Sequence, residues 1–177
     1  FVDNIKHQSS QGSGTITLGA SGETISLSSG ASQDFANNTP SFFASLSAST
    51  AFSGATEVKV QNNTESWDTD NAYDNSTNYR FTVPTGKGGK YFIVGAAKFQ
   101  SVPINEYVII RFYLNGSADL VGETRLPSTT AGGDEMFKAV HIFDLSAGDY
   151  VEMYIRSLST GGTLLSPGTY FEGYKLI

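Results

Sequence analysis

The sequence WDTDNAYDNSTNYRFTVPTGKGGKYFIVG, residues 67–95, contains two strand patterns separated by a turn. In residues 79–83 every second side chain is apolar or aromatic, the pattern of a strand with one buried face. Pro84 cannot donate a hydrogen bond to a sheet, so we expect the strand to end there. The glycine-rich residues 86–89 allow the chain to reverse, and residues 90–97 form a second predicted strand. The stretch therefore predicts two strands around a Pro/Gly turn.

The spacing D-x4-Y-x-F-T-x-P-x4-G-x-Y, which runs from Asp74 to Tyr91, resembles the signature of the complement-one-q globular head. That family belongs to the tumour necrosis factor (TNF)-like jelly rolls. Two further blocks follow in the family's order. LSAGDYV at residues 145–151 is similar to the family's step into a late strand, and YFEGYKL at residues 170–176 is similar to its C-terminal strand. The resemblance covers about residues 41–177.

The resemblance implies an all-β fold, a jelly-roll β-sandwich of the complement-one-q/TNF-like kind that forms homotrimers. The chain also shows about eight to ten strand patterns at intervals of roughly ten residues, which fits a sandwich or a jelly roll. We assign residues 41–177 to this head domain. Residues 1–40 are predicted to be an N-terminal linker with a short β-repeat extension, which would serve as a shaft or attachment segment.

The composition favours many short strands and excludes several functions. Aromatic residues are frequent, with 12 Phe and 9 Tyr, whereas only 16% of residues are charged. The net charge of −6 argues against nucleic-acid binding, which needs clustered Lys and Arg. The absence of Cys excludes disulfides and thiolate metal sites. No apolar run approaches the ~20 residues of a membrane span, so no membrane insertion is predicted.

Residues 14–31 contain a short repeat, in which TITL recurs as TISL nine residues later. Each unit presents an apolar stripe, Ile16 and Leu18 in the first, that has nothing local to cover it. Such stripes are buried by stacking or by pairing with other chains, although an ordinary hairpin packed on the head is an equal alternative. The segment is similar to the Gly/Ser/Thr-rich "GTITLG" segments of bacteriophage tail and fibre proteins, which implies a virion setting.

Residues 90–99 are apolar on both faces, which indicates a strand that is covered on both sides. In a two-layered sandwich one face meets the opposite sheet, so the other face must meet a loop or other chains. The resemblance implies two further copies of the chain around a threefold axis. On that basis Phe92, Val94, Val140 and Phe171 are predicted to lie near the trimer axis.

The sequence contains no recognisable catalytic motif, and the chain is predicted not to be an enzyme. Asp68, Asp70 and Asp74 form its only carboxylate cluster. Oxygen ligands at this spacing could hold a calcium ion, and some relatives by resemblance bind calcium. A solvated Asn/Asp turn is the favoured interpretation, because the cluster lacks the Gly and terminal Glu of a helix-loop-helix calcium loop. No other cofactor is predicted.

Binding is the better class of function. Trp67, Tyr73 and Tyr79 lie among Asn and Asp residues, and aromatic rings beside amides and carboxylates suit carbohydrate recognition. The same three rings could instead pack under the loop, and the sequence does not separate these alternatives.

These observations predict a non-enzymatic virion protein, the trimeric tip domain of a bacteriophage tail or head fibre. It would bind a host-surface receptor, with a glycan favoured over a protein, and would contact other virion proteins through its N-terminal segment. One alternative is a capsid decoration or fibre-assembly protein that stabilises the particle. Another is a secreted or cell-surface adhesin with a complement-one-q-like head. The predicted location is the virion, outside cells.

Overall fold

A computed structural model describes residues 40–176, so the predicted N-terminal extension and its repeat lie outside the described residues. Within the described range no helix is long and apolar enough to cross a membrane. That range forms thirteen strands: β1 (Ser41–Ser45), β2 (Thr50–Phe52), β3 (Val58–Lys59), β4 (Thr64–Asp68), β5 (Tyr73–Asp74), β6 (Arg80–Thr82), β7 (Gly89–Gln100), β8 (Tyr107–Leu114), β9 (Ser117–Pro127), β10 (Glu135–Leu145), β11 (Tyr150–Ser157), β12 (Gly162–Leu164) and β13 (Tyr170–Lys175).

The strands form two antiparallel sheets that enclose one hydrophobic core. The first sheet has the order β10–β7–β13–β1–β4, with β12 pairing to β7 and to β2. The second sheet has the order β9–β8–β11–β6–β5, with β3 beside β11. Because β7 and β8, β9 and β10, and β10 and β11 lie in different sheets, the chain crosses the sandwich repeatedly, as a jelly roll does.

The core is built around stacked aromatic rings from both sheets. Phe42 of β1 stacks on Phe81 of β6, with ring centroids 4.8 Å apart. Phe171 of β13 meets Phe42 edge-on at 5.0 Å and lies 6.1 Å from Phe112 of β8. All four rings are at most 1% exposed. Aromatic pairs in such geometries add to the stabilisation that burial of their area already provides.

Two predicted strands are shorter than expected. β6 begins at Arg80 because Tyr79 has a φ of 50°, in the left-handed region, and so belongs to the preceding turn. The predicted first strand ends at Ser45, and Ala48, which the alternation assigns to the core, is exposed. In both cases local turn geometry overrides the period-two pattern.

The two ends of the sandwich differ. The Lys175 amide donates to the Pro40 carbonyl at 2.9 Å, so Pro40 lies at the end where β13 finishes. The opposite end, which we name the far end, consists of loops 101–106, 128–134 and 158–161. These loops are tied together: the Asn105 amide donates to the Ser128 carbonyl at 2.8 Å, and Glu106 accepts from the Ser159 hydroxyl at 2.9 Å.

Candidate functional site

The outer face of the first sheet presents a broad set of apolar and aromatic side chains. We call this set the apolar face. Trp67, Val140, Ile142 and Tyr174 are each between 48% and 51% exposed. A soluble monomer seldom leaves so many large apolar side chains together in water, so this face is a candidate contact surface. Its members are Met136, Val140 and Ile142 of β10, Phe92 and Val94 of β7, Tyr170 and Tyr174 of β13, Phe43 of β1 and Trp67 of β4.

Strand register places the β10, β7 and β13 members side by side. Val140 pairs with Val94, and Ile142 pairs with Phe92. Phe92 in turn pairs with Tyr174, and their ring centroids lie 5.5 Å apart. Cross-strand neighbours on one face of an antiparallel pair contact each other. This half of the face is therefore continuous.

The β13, β1 and β4 members continue the face. Phe43 stacks between Trp67 and Tyr170, with centroid distances of 5.0 Å and 5.3 Å. The stack holds Trp67 in place although half of its surface is exposed. A rigid exposed aromatic of this kind loses little conformational entropy on binding.

Glu172 lies in the middle of the apolar face, on the third of its five strands. It pairs with Val94 on one side and Phe43 on the other. Its pKa is raised by burial, an effect that the charge of Lys138 partly opposes. Lys138 extends over the Tyr170 ring, 5.6 Å from the centroid. Among residues 40–176, Glu172 has no ion-pair partner within 4.0 Å.

Three of the four residues predicted near a trimer axis, Phe92, Val94 and Val140, belong to the apolar face by register, although Val94 is only 7% exposed. Phe171 does not. Alternation along β13 points Tyr170 and Glu172 outward and Phe171 inward, where it is fully buried. We therefore leave Phe171 out of the face and assign it to the core.

Sequence reasoning missed five members of the face, namely Phe43, Met136, Ile142, Tyr170 and Tyr174. The available signal was the alternation along β10, MFKAVHIFDL, in which Met136, Val140 and Ile142 share one side. This pattern marks an outward apolar row once β10 is known to lie at the edge of the first sheet.

The three candidate ligand-binding aromatics do not form one platform. Trp67 lies on the apolar face, whereas Tyr73 is 5% exposed and stacks on Phe42 at 5.1 Å. The Tyr73 hydroxyl donates to the Asn62 carbonyl at 3.0 Å inside the core. Tyr79 is half-buried in the turn before β6. Of the two alternatives left open by the sequence, packing describes Tyr73.

The three candidate calcium ligands accept hydrogen bonds from their own turns. Asp68 Oδ2 accepts from the Tyr73 amide at 2.7 Å, and Asp70 Oδ2 from the Thr69 hydroxyl at 2.9 Å. Asp74 accepts from three successive amides, those of residues 76–78. Residues 40–176 contain no group of three or more His, Cys, Asp or Glu side chains arranged to hold a metal. Calcium binding at these residues stays a prediction.

An open groove of about 750 Å³ runs beside these turns, near the end where the chain enters at Pro40. Glu65, Asp70 and Asp74 line it together with Tyr73 and Pro84. Burial raises the pKa of Glu65, and the charges of Asp68 and Asp74 raise it further. The groove is therefore acidic and suits no anionic ligand.

Carboxylates that hold turns make the stability of the head sensitive to acid. Backbone hydrogen bonds from Thr77 and Ser76 hold the pKa of Asp74 well below its usual range. Burial alone would raise the pKa of Glu106, but hydrogen bonds from Ser159 and Thr160 outweigh it and lower the pKa. A carboxyl group whose pKa is lower in the folded than in the unfolded chain stabilises the fold above about pH 4. This stabilisation is lost as the pH falls through the pKa of the folded chain.

We therefore expect the urea midpoint of the single chain, at concentrations too low for assembly, to be nearly constant at neutral pH and to fall steeply below about pH 4. Asp74→Asn, which does not titrate, should lose less stability between about pH 5 and about pH 2.5 than the unmodified chain. Equilibrium urea unfolding followed by fluorescence at each pH measures this. An equal loss in both proteins would show that the Asp74 turn does not contribute.

No protein-family model matches the chain, and no curated protein matches it significantly. Several solved structures match the chain significantly. The Eiger TNF of S. frugiperda is 12% identical and superposes with a TM-score of 0.58 over 78% of this chain and 92% of that one. Murine APRIL at pH 5.0 is 15% identical, with a TM-score of 0.58 over 78% of this chain and 99% of that one.

A globular domain of zebrafish complement 1qA is 14% identical over 78% of this chain and 98% of that one, but its TM-score of 0.49 adds nothing to the fold assignment. At such identities the likeness concerns the fold alone. The strand order and the two superpositions with a TM-score of 0.58 agree with each other. The chain is an all-β jelly-roll sandwich of the TNF-like kind, and the predicted fold is confirmed.

Proposed function

We propose that this chain is a non-enzymatic binding head that assembles as a homotrimer and presents the far-end loops to a receptor. The proposal rests on the apolar face. Fully burying a large apolar side chain stabilises a protein or a complex by about 1.5–3 kcal/mol. Covering the half-exposed members of this face with a second copy would therefore strongly favour association. The face lies on the first sheet, whereas the far-end loops lie at one end of the sandwich. Contact through the face would therefore leave these loops available to a receptor.

A closed ring of three copies needs two different contact surfaces on each chain, because a cyclic interface above a dimer is heterologous. The second surface is the edge strand β9. Leu120 and Val121 on this strand are 68% and 81% exposed. An exposed apolar edge strand favours unwanted pairing unless a partner covers it. We propose that β9 of one copy covers part of the apolar face of the next.

Val121→Asp tests this second surface. We expect the variant to dissociate at concentrations at which the unmodified chain is trimeric, because the new carboxylate would be buried without a partner. Its unfolding as a single chain should change by less than about 0.5 kcal/mol, since Val121 is mostly in water. Sedimentation velocity measures the mass, and urea unfolding supplies the control. A trimer of unchanged affinity would place the second surface elsewhere.

The biological setting that we propose is a virion, with the head at the tip of a bacteriophage tail or head fibre and residues 1–40 joined to other virion proteins. The support is the repeat in residues 14–31 together with the position of Pro40, the first described residue, at the end opposite the far-end loops. Three weak sites on one rigid trimer would bind a host surface with high avidity.

A glycan receptor is the favoured partner from sequence, with a host-surface protein as the alternative. Two of the three predicted aromatics do not support this part of the proposal, since Tyr73 is buried and Trp67 lies on a face that a second copy would cover, and Tyr79 stays a predicted contact. We therefore assign receptor contact to the far-end loops. A secreted or cell-surface adhesin would use the same loops.

The deciding experiment is the solution mass of the chain by light scattering over a range of concentrations. A stable species of three times 18.9 kDa supports the trimer, and glycan-array and whole-cell binding by that trimer then test receptor recognition. Binding to purified particles without binding to glycans or cells would favour the decoration or fibre-assembly role. A monomer at every concentration would contradict the proposal.

A further inference from the structure

One carboxylate lies where the proposed assembly would be driest. Glu172 occupies the central strand of the apolar face, between Val94 and Phe43. Tyr170 and Tyr174 flank it along β13. Burying a charge without a partner is costly, and a titratable group in that position changes its protonation state instead.

The charged groups around Glu172 offer it little compensation. On β7, Lys98 pairs with Asp134 at 3.0 Å, and Lys90 lies opposite Asp144 of β10. The β1 residues on this face are Ser41, Phe43 and Ser45, none of which is charged. On β4, Glu65 and Asp68 pair with the core residues Ala44 and Phe42, so neither carboxylate lies on this face.

Lys138 of β10 is the remaining cation, and it does not reach Glu172. Its ammonium lies over the Tyr170 ring at 5.6 Å, and a hydrogen bond to that tyrosine raises its pKa. Within residues 40–176 no ion pair joins it to Glu172. Lys138 therefore weakens the effect of burial on the carboxyl but does not cancel it.

We propose that Glu172 takes up a proton when the chains assemble, so that the trimer is stronger at mildly acidic pH than at alkaline pH. The inference rests on the proposed trimer. Burial already raises the pKa of this carboxyl in the single chain, and a covering copy removes more water from it. If the pKa of Glu172 is higher in the trimer than in the single chain, protonation of Glu172 stabilises the trimer, and this contribution is complete at low pH. That contribution is lost as pH rises through the assembled value.

The trimer dissociation constant of the unmodified chain, measured by sedimentation equilibrium, should rise between about pH 5 and about pH 8. Each proton taken up gives a tenfold change per pH unit, so three copies give up to ~1000-fold per unit. Glu172→Gln should remove most of this dependence and bind at about pH 8 as tightly as the unmodified chain does at about pH 5. Asp134→Asn, a carboxylate change off the centre of the face, should keep the dependence.

The outcomes separate the two proposals. A trimer whose affinity does not change with pH would overturn this inference and leave the trimer standing. A Glu172→Gln trimer that is weaker at every pH would also overturn it, since Glu172 would then be a charged partner of a cation on the next copy. A chain that is monomeric at all pH values would overturn both.

Discussion

Ile142→Asp is expected to convert the trimer into a folded monomer. Ile142 is 51% exposed and pairs with Phe92 at the β10 edge of the apolar face. In the single chain the new carboxylate stays in water, so the fold should hold. In the assembly it would be buried without a partner, which costs several kcal/mol and corresponds to at least ~1000-fold weaker association. Light scattering at several concentrations measures the mass.

Ile104→Asp is the matched control. Ile104 is 52% exposed, almost the same fraction as Ile142, but it lies in the far-end loop between β7 and β8. The identical substitution should therefore leave the trimer intact. Receptor binding, if it uses this loop, should fall without any change in mass. Dissociation of both variants would mean that an added charge anywhere weakens the assembly, and the apolar face would lose its special role.

Much of the fold could be predicted from sequence because alternation and turn chemistry are local signals. The core positions Phe42, Ala44 and Leu46 follow from the alternation in the first strand, and all three are buried. The Asn115-Gly116 pair predicts the hairpin between β8 and β9, and both residues have the positive φ values that such a turn needs, 51° and 79°. The motif blocks then fix the order of strands.

The separation of Trp67 from Tyr73 could not be predicted, although only a short turn lies between them. Within that turn the chain passes from β4 in the first sheet to β5 in the second. Trp67 therefore points outward from one layer while Tyr73 points into the core from the other. Periodicity describes one strand at a time and contains no information on a change of sheet.

The orientation of β13 is ambiguous in sequence for a different reason. Its sequence, YFEGYK, has aromatic residues on both faces, so period-two alternation does not distinguish inside from outside. The register decides it. Phe171 pairs with Gly95, and a Cβ at Gly95 would lie 3.0 Å from the Phe112 ring and 3.2 Å from Met153 Sδ. Position 95 therefore faces the core, where the absence of a side chain leaves room for Phe112 and Met153. Its cross-strand partner Phe171 faces the core as well.

Phe171→Ala is accordingly expected to destabilise the single chain severely. Phe171 is fully buried against Phe42, Tyr73 and Phe112, at centroid distances of 5.0 Å, 6.0 Å and 6.1 Å. Removing a buried Phe ring costs about 3–5 kcal/mol, through lost burial and the cavity left behind. Such a loss is a large share of the stability of a typical domain.

The measurement is urea unfolding in the Ile142→Asp background, where assembly does not add to the apparent stability. Tyr174→Ala is the companion variant, because Tyr174 lies three residues away on the same strand but is 48% exposed. It should cost the single chain about 1 kcal/mol or less and instead weaken the trimer. The reverse result, with Phe171→Ala mild in the monomer and damaging to the trimer, would put Phe171 at the axis. The register of β13 against β7 would then have to differ in the assembled protein, because in the present register Phe171 faces Phe112 across the core.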